Sequence, residues 1–384
     1  MIENKPLCYA PFIGMYATST GQYAPCCVSK TIHSHSPVEF WTSNSMQDIR
    51  LKMMQQEWPE SCSYCQTKQT KNLGNDIKIW DDSFNSVKAD VEITNGNNTG
   101  GPLFLDYRPS NICNLKCRMC TPQSSSQIEK EIIENPILNN WFTLDNNKIN
   151  NFDVFLEYTS NLNLKKIKIL GGEPTIDEST ILFLEKIINN NRELPILRFT
   201  TNGTNLNTRF RKIMSFFPEV RVNFSIDGTE KVYEYIRTNA NWHKTKKNIE
   251  NVFKKNLASQ YVFNTLLMPY NIFHLTDLLE WYYELYKKGY KFNLYFDTSD
   301  ITFTSLSAVL PEDIDYAIES TKRFFEHIDP SFIVIDGMSN LLPLLNTSKF
   351  NKYAHNQFKQ YNLNLDDIRK TKLLDIDKRF INYC

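Results

Sequence analysis

The chain has 384 residues, enough for two domains or for one with appendages, and its 41% hydrophobic content is enough to bury a sizeable core. Its 43 basic and 43 acidic residues cancel, so no strong basic field marks nucleic acid as the main partner. No apolar run approaches the roughly 18 residues of a membrane helix, and Met1–Pro6 lacks the shape of a signal peptide, so a cytoplasmic protein without a membrane partner is expected.

The nine cysteines are odd in number and clustered. In a reducing compartment such clusters read as metal ligands before disulfides. Residues 1–75 hold the first group: Cys8, then Gly21, Cys26, and the pair Cys62 and Cys65. Gly21 permits a tight turn between strands near Phe12–Ala17 and Gln22–Pro25. Met46, Ile49, Leu51, Met53 and Met54 predict a short helix leading back to the second cysteine pair. A hairpin and a helix would then gather four thiolates, a set that by itself favours structural zinc. Cys27 stands beside this set without a clear place in it.

Residues 76–100 are polar, and 94–101 are turn-rich, which reads as a linker. Leu103–Arg108 is an alternating run that predicts a strand. It leads directly into Cys113-Asn114-Leu115-Lys116-Cys117-Arg118-Met119-Cys120. Three thiolates on one tight loop can grip three corners of a cubane iron–sulfur cluster and leave the fourth iron open. The alternative is a redox-active or structural thiol group. A helix is expected from Pro122 through Ile133, and residues 136–163 form an Asn-rich insertion.

Regular strand–helix units follow. Strands are expected at 166–170, 196–200, 220–226, 260–267 and 291–296, with helices at 177–190, 207–217, 242–255 and 272–288. With the strand before Cys113 this makes six, and repeated units imply a parallel sheet with right-handed crossovers. Gly171-Gly172-Glu173-Pro174, Thr201-Asn202-Gly203 and Ser225-Ile226-Asp227-Gly228 all fall at strand carboxyl ends, where chemistry gathers in barrels of this kind. Residues 301–384 read as a helical extension, with helix 311–328, a polar end and no motif.

The cysteine octet resembles the signature of radical S-adenosylmethionine (radical SAM) enzymes, with Met119 in place of the aromatic residue many members carry. The resemblance implies a partial (β/α)6 barrel over 101–300. It also implies a 4Fe-4S cluster on Cys113, Cys117 and Cys120, whose open iron takes the methionyl amine and carboxylate of S-adenosylmethionine. Gly171, Gly172 and Glu173 match the family's G-G-E motif, which binds the methionyl ammonium. Asn202, Ser225 and Asp227 resemble residues that meet the ribose and amino-acid part, and Arg237 resembles an arginine that pairs with the cofactor carboxylate.

Cys8-x12-Gly21-x4-Cys26 is similar to the opening of SPASM and twitch modules, and this shifts Cys8, Cys26, Cys62 and Cys65 from zinc toward an auxiliary 4Fe-4S cluster. Placed before the barrel, the module resembles that of phage and marine bacterial twitch-domain radical SAM proteins. Expected partners are a peptide or small-molecule substrate and an electron donor such as flavodoxin or ferredoxin. The enzymatic expectation is hydrogen-atom abstraction from a peptide side chain, with a sugar or nucleoside as the alternative. The rival from another class is a non-catalytic iron–sulfur or zinc-binding protein.

Overall fold

The structure, a computed structural model, describes residues 5–18, 20–70, 77–91, 93–94, 97–98, 100–144, 152–191 and 193–384. Of the turn-rich stretch 94–101, Asn95, Gly96 and Thr99 lie outside the described residues, as do residues 71–76 and part of the Asn-rich stretch. In chain order the strands are β1 (Gly14–Thr18), β2 (Gln22–Ala24), β3 (Ile32–His33), β4 (Ile93–Thr94), β5 (Asn97–Asn98), β6 (Phe104–Arg108) and β7 (Lys116–Cys117). They continue with β8 (Lys166–Ile169), β9 (Ile196–Thr201), β10 (Val220–Ser225), β11 (Arg237–Thr238), β12 (Gln260–Leu267) and β13 (Asn293–Thr298). The chain divides into two compact units. The first holds Met1–Ser110, Asp145–Phe199 and Arg209–Glu219; the second holds Asn111–Leu144, Thr200–Thr208 and Val220–Cys384.

In the first unit the strands run in the order β3-β2-β1-β6-β8-β9. The expected hairpin is present, with Tyr16 opposite Ala24 and Gly21 in the left-handed region at φ 71°. The hairpin is not free-standing: β1 pairs in parallel with β6, which pairs in parallel with β8, and β8 with β9. Alternation along these strands sends Leu105, Tyr107, Ile167, Ile169, Leu197 and Phe199 to one buried face. Helices Phe152–Ser160 and Glu178–Asn190 contribute Phe155 and Phe183, whose rings lie 4.1 and 5.1 Å from that of Tyr107. Asp177 caps the second helix by accepting from the backbone N–H groups of Ser179 and Thr180.

The helix expected around residues 45–56 is Asn44–Met54, capped by Ser43; it buries Met46, Ile49 and Met53 but leaves Leu51 exposed. The stretch read as linker holds a helix, Ile77–Val87. Its Ile77, Trp80, Phe84 and Val87 recur at helical spacing and pack into the cluster that includes Cys8 and Cys62. Tyr9 stacks on Phe84 at 3.8 Å.

In the second unit β10, β12 and β13 are parallel. Their core is aromatic: Phe263 lies 5.3 Å from Trp281, 4.9 Å from Tyr282 and 5.2 Å from Phe292. The helix expected from Pro122 begins later, at Ser126, because Ser125 supplies the cap to Ile128. Helices Pro311–Glu326 and Lys352–Arg369 fill much of the remainder. The fold is thus α/β with a mostly parallel sheet, and all six expected strands are present. Among the described residues no helix is long and apolar enough to cross a membrane.

The Tyr107–Phe155–Phe183 stack yields a stability prediction. Phe183→Ala should cost about 3–5 kcal/mol in urea unfolding, as large-to-small changes in packed cores do. A loss below about 1 kcal/mol would contradict the packing, because it falls outside that range.

Candidate functional site

The cysteine loop belongs to the second unit, and polar side chains fix its path. Ser125 Oγ donates to the Leu115 carbonyl at 2.9 Å, and the Cys113 N–H donates to Ser126 Oγ at 3.2 Å. Asn111 Nδ2 bonds both the Pro122 carbonyl and Glu129 at 2.8 Å. Cys117 and Cys120 are drawn inward, and burial pushes both thiols above their ordinary range. Cys113 is half-buried.

Antiparallel pairing of β7 with β11 sets Arg237 directly opposite Cys117. The Arg237 guanidinium is buried, donates to Cys117 Sγ at 3.7 Å, and pairs with Asp227 at 2.5 Å. Burial alone would lower its pKa, but Asp227 and Cys117 hold it above the ordinary range. Asp227 accepts from the Leu266 N–H with its other oxygen. Two residues expected to face a cofactor are therefore engaged with each other. Arg237 Nε remains buried without a hydrogen-bond partner.

Asn202 is also engaged. Its Nδ2 donates to Asn114 inside the octet at 3.0 Å, and its Oδ1 accepts from the Thr204 N–H and hydroxyl. Ser225 ends β10 half-buried, with no hydrogen bond from its hydroxyl among the described residues. The second unit thus brings together Cys113, Cys117, Cys120, Asn202, Asp227 and Arg237.

The decisive residue missed from the sequence is Arg118, between two of the cysteines and fully buried. It donates to the Tyr235 carbonyl, Asn362, Asp366 and Thr371 at 2.7–3.0 Å, and lies 3.6 Å from the Tyr235 ring centre. Its own carbonyl accepts from Tyr361 at 2.9 Å. Arg369 on the same C-terminal helix bonds Glu131, which also takes Lys116 of the loop. A basic residue inside a cysteine loop was the one available signal, and three of its four partners lie 244, 248 and 253 positions away.

The first unit holds the other expected residues. Gly171 has φ +117°, and a Cβ there would stand 2.6 Å from the Ser110 carbonyl, so only glycine fits. The Gly172 N–H donates to that carbonyl at 3.0 Å. Glu173 is buried, and its Oε1 accepts from the Thr175 hydroxyl and N–H. Separately, Cys8, Cys26, Cys62 and Cys65 line one small cavity of about 20 Å³ with Met53, Trp58 and Trp80. Burial pushes Cys8 up to about 12 and raises Cys26 and Cys62. Cys27 is exposed and does not line the cavity.

Among the described residues no three His, Cys, Asp or Glu side chains converge as ligands of a single ion. Four thiols around one cavity form a sulfur donor set of the kind that binds zinc or an iron–sulfur cluster. In the second unit the three thiols of one loop, an unpartnered guanidinium nitrogen and a serine hydroxyl fit a cluster with an anionic ligand beside it.

Comparison with known families matches residues 107–282 to the Radical SAM superfamily. The match covers less than half of the chain. Members of that superfamily are enzymes, which bears out the expectation of an enzyme and leaves the substrate open; the family implies a 4Fe-4S cluster and S-adenosylmethionine. A GTP 3′,8-cyclase of Desulforamulus reducens is 29% identical over 127 residues, covering 32% of this chain and 34% of its own length. The match thus spans about a third of that relative. Among solved structures, native anSMEcpe with bound AdoMet is 19% identical with TM-score 0.42, covering 61% of this chain and 64% of that one. SuiB of Streptococcus suis bound to S-adenosylmethionine is 12% identical with TM-score 0.36, covering 81% and 67%.

The Arg118 network gives a direct test of how the radical SAM loop is held. Asp366→Asn removes the counter-charge of a buried guanidinium and should cost about 3–5 kcal/mol in urea unfolding. An unchanged unfolding midpoint would show that the pair contributes nothing.

Proposed function

We propose that the chain is a radical SAM enzyme that abstracts a hydrogen atom from its substrate after reductive cleavage of S-adenosylmethionine. The observation that carries this reading is the octet itself, with Cys117 and Cys120 turned inward and Arg237 bonded to Cys117. When bound, a 4Fe-4S cluster with S-adenosylmethionine supplies one-electron cleavage of the sulfonium to methionine and a 5′-deoxyadenosyl radical.

The chain's own residues have simpler tasks. Cys113, Cys117 and Cys120 hold three irons, and the Arg118 network keeps the loop in shape. Arg237 Nε and the Ser225 hydroxyl offer donors to the cofactor's polar groups. Gly171 and Gly172 let backbone approach closely, and Glu173, held by Thr175, keeps that turn rigid. An external donor such as flavodoxin or ferredoxin would supply the electron.

Cys8, Cys26, Cys62 and Cys65 are proposed to hold an auxiliary 4Fe-4S cluster of the twitch type rather than zinc; their shared cavity supports a common sulfur-ligated group, and the likeness of their spacing to twitch modules favours the cluster. For the substrate, a peptide side chain and a small sugar or nucleoside are both proposed. The similarity to a GTP 3′,8-cyclase favours the second.

Anaerobic reconstitution followed by dithionite and S-adenosylmethionine should yield 5′-deoxyadenosine. A loaded protein that forms none is a non-catalytic binding protein instead. For the auxiliary site, the Cys113/Cys117/Cys120 triple alanine variant should retain about four irons, as a thiolate-held cubane does. Stoichiometric zinc without iron would overturn that assignment.

A further inference from the structure

Parallel strands are normally apolar on both faces, yet β6, β8 and β9 alternate apolar with charged residues. One face carries the aromatic and aliphatic core already described. The strand registers bring Tyr16, Asp106, Lys168 and Arg198 into a single row across β1, β6, β8 and β9 on the other face. Lys166 lies on the same face, one step along β8. Arg108, the last residue of β6, also lies there, its guanidinium 5.0 Å from the centre of the Tyr16 ring. The face thus carries Arg108, Lys166, Lys168 and Arg198, with Asp106 among them.

Asp106 bonds Lys168 at 2.7 Å. Among the described residues Arg108 makes no ion pair, and its Nε is buried without a hydrogen-bond partner. A charged donor in that state is costly, and the Tyr16 ring beneath it answers the charge but not the unbonded N–H. Arg108 also abuts the glycine turn: a Cβ on Gly171 would stand 3.7 Å from both its Cα and its Cβ. The cation thus sits at a strand carboxyl end, beside the turn read as cofactor-binding.

We propose that this face binds an oxyanion of the substrate, a phosphate or carboxylate, with Arg108 as the principal ligand and Lys168 and Arg198 beside it. A planar fork that keeps a donor free suits such a group, and a half-buried site strengthens the bond over one in water. The proposal rests on the radical SAM reading for the identity of the ligand as substrate. It narrows the substrate to one that carries a strong negative charge.

The test is calorimetric titration of the reconstituted holoenzyme, saturated with S-adenosylmethionine, with inorganic pyrophosphate and separately with citrate. Saturable binding that weakens about tenfold or more in Arg108→Met and in Lys168→Met supports the site, since a charge-assisted bond has that worth. Arg108→Lys should recover only part of the loss, because it restores charge without the fork. Arg209→Met, which removes a surface arginine paired with Glu178 and Glu185, should bind as the parent does.

Thermal melts of each variant identify loss of fold. Preference for pyrophosphate assigns a phosphate, and preference for citrate a carboxylate. No saturable binding of either anion, or binding indifferent to Arg108 and Lys168 in folded variants, overturns the proposal. The outcomes separate the two claims. Parent protein that makes 5′-deoxyadenosine but binds neither anion refutes this site alone. Arg108-dependent binding without 5′-deoxyadenosine refutes the radical reading and leaves the anion site standing.

Discussion

A guanidinium shut away from water must be given partners by the protein, and in the second unit two of them frame the cysteine loop. Arg118 is held by the Tyr235 carbonyl, Asn362, Asp366 and Thr371, and Arg237 by Asp227. Removing one partner of such a pair is far costlier than the pair's net worth, so these contacts tolerate little change. The loop between Cys117 and Cys120 is consequently set by residues distant in sequence. Helix Lys352–Arg369 acts on the cysteines through Arg118, and strand β11 acts on them through Arg237.

The first unit solves a different problem by burial of sulfur. A hairpin, the helix Asn44–Met54 and the helix Ile77–Val87 close apolar and aromatic side chains around four thiols. Burial raises the Cys8, Cys26 and Cys62 thiols, so a sulfur-ligated group must displace their protons as it binds. The same unit keeps a strand face charged where a parallel sheet is normally apolar. Packing alone does not require either feature, and both are places where local rules give way to chemistry.

Much of this was legible in the sequence, for stated reasons. The octet, the glycine turn at Gly171 and the strand ends at Asn202 and Asp227 are local patterns whose geometry follows from spacing. The strand alternation is equally plain, with Lys166 and Lys168 on the face opposite Ile167 and Ile169. What escaped were the long-range pairings. Asp366 and Asn362 look like surface residues on a polar helix until Arg118 is found between them. Arg237 read as a carboxylate ligand for a cofactor, yet its nearest carboxylate is Asp227. Ile77, Trp80, Phe84 and Val87 have helical spacing, but the polar residues around them suggested a linker. Pro122 suggested a helix start that Ser125, three residues later, provides.

The central claim is that three thiolates hold a cluster with one iron left for S-adenosylmethionine. The most direct measurement is the electron paramagnetic resonance spectrum of the dithionite-reduced, reconstituted protein, recorded before and after that cofactor is added. The account predicts a reduced-cluster signal whose g values shift on addition and which Cys117→Ala abolishes. A signal that is present but unmoved by S-adenosylmethionine would contradict it.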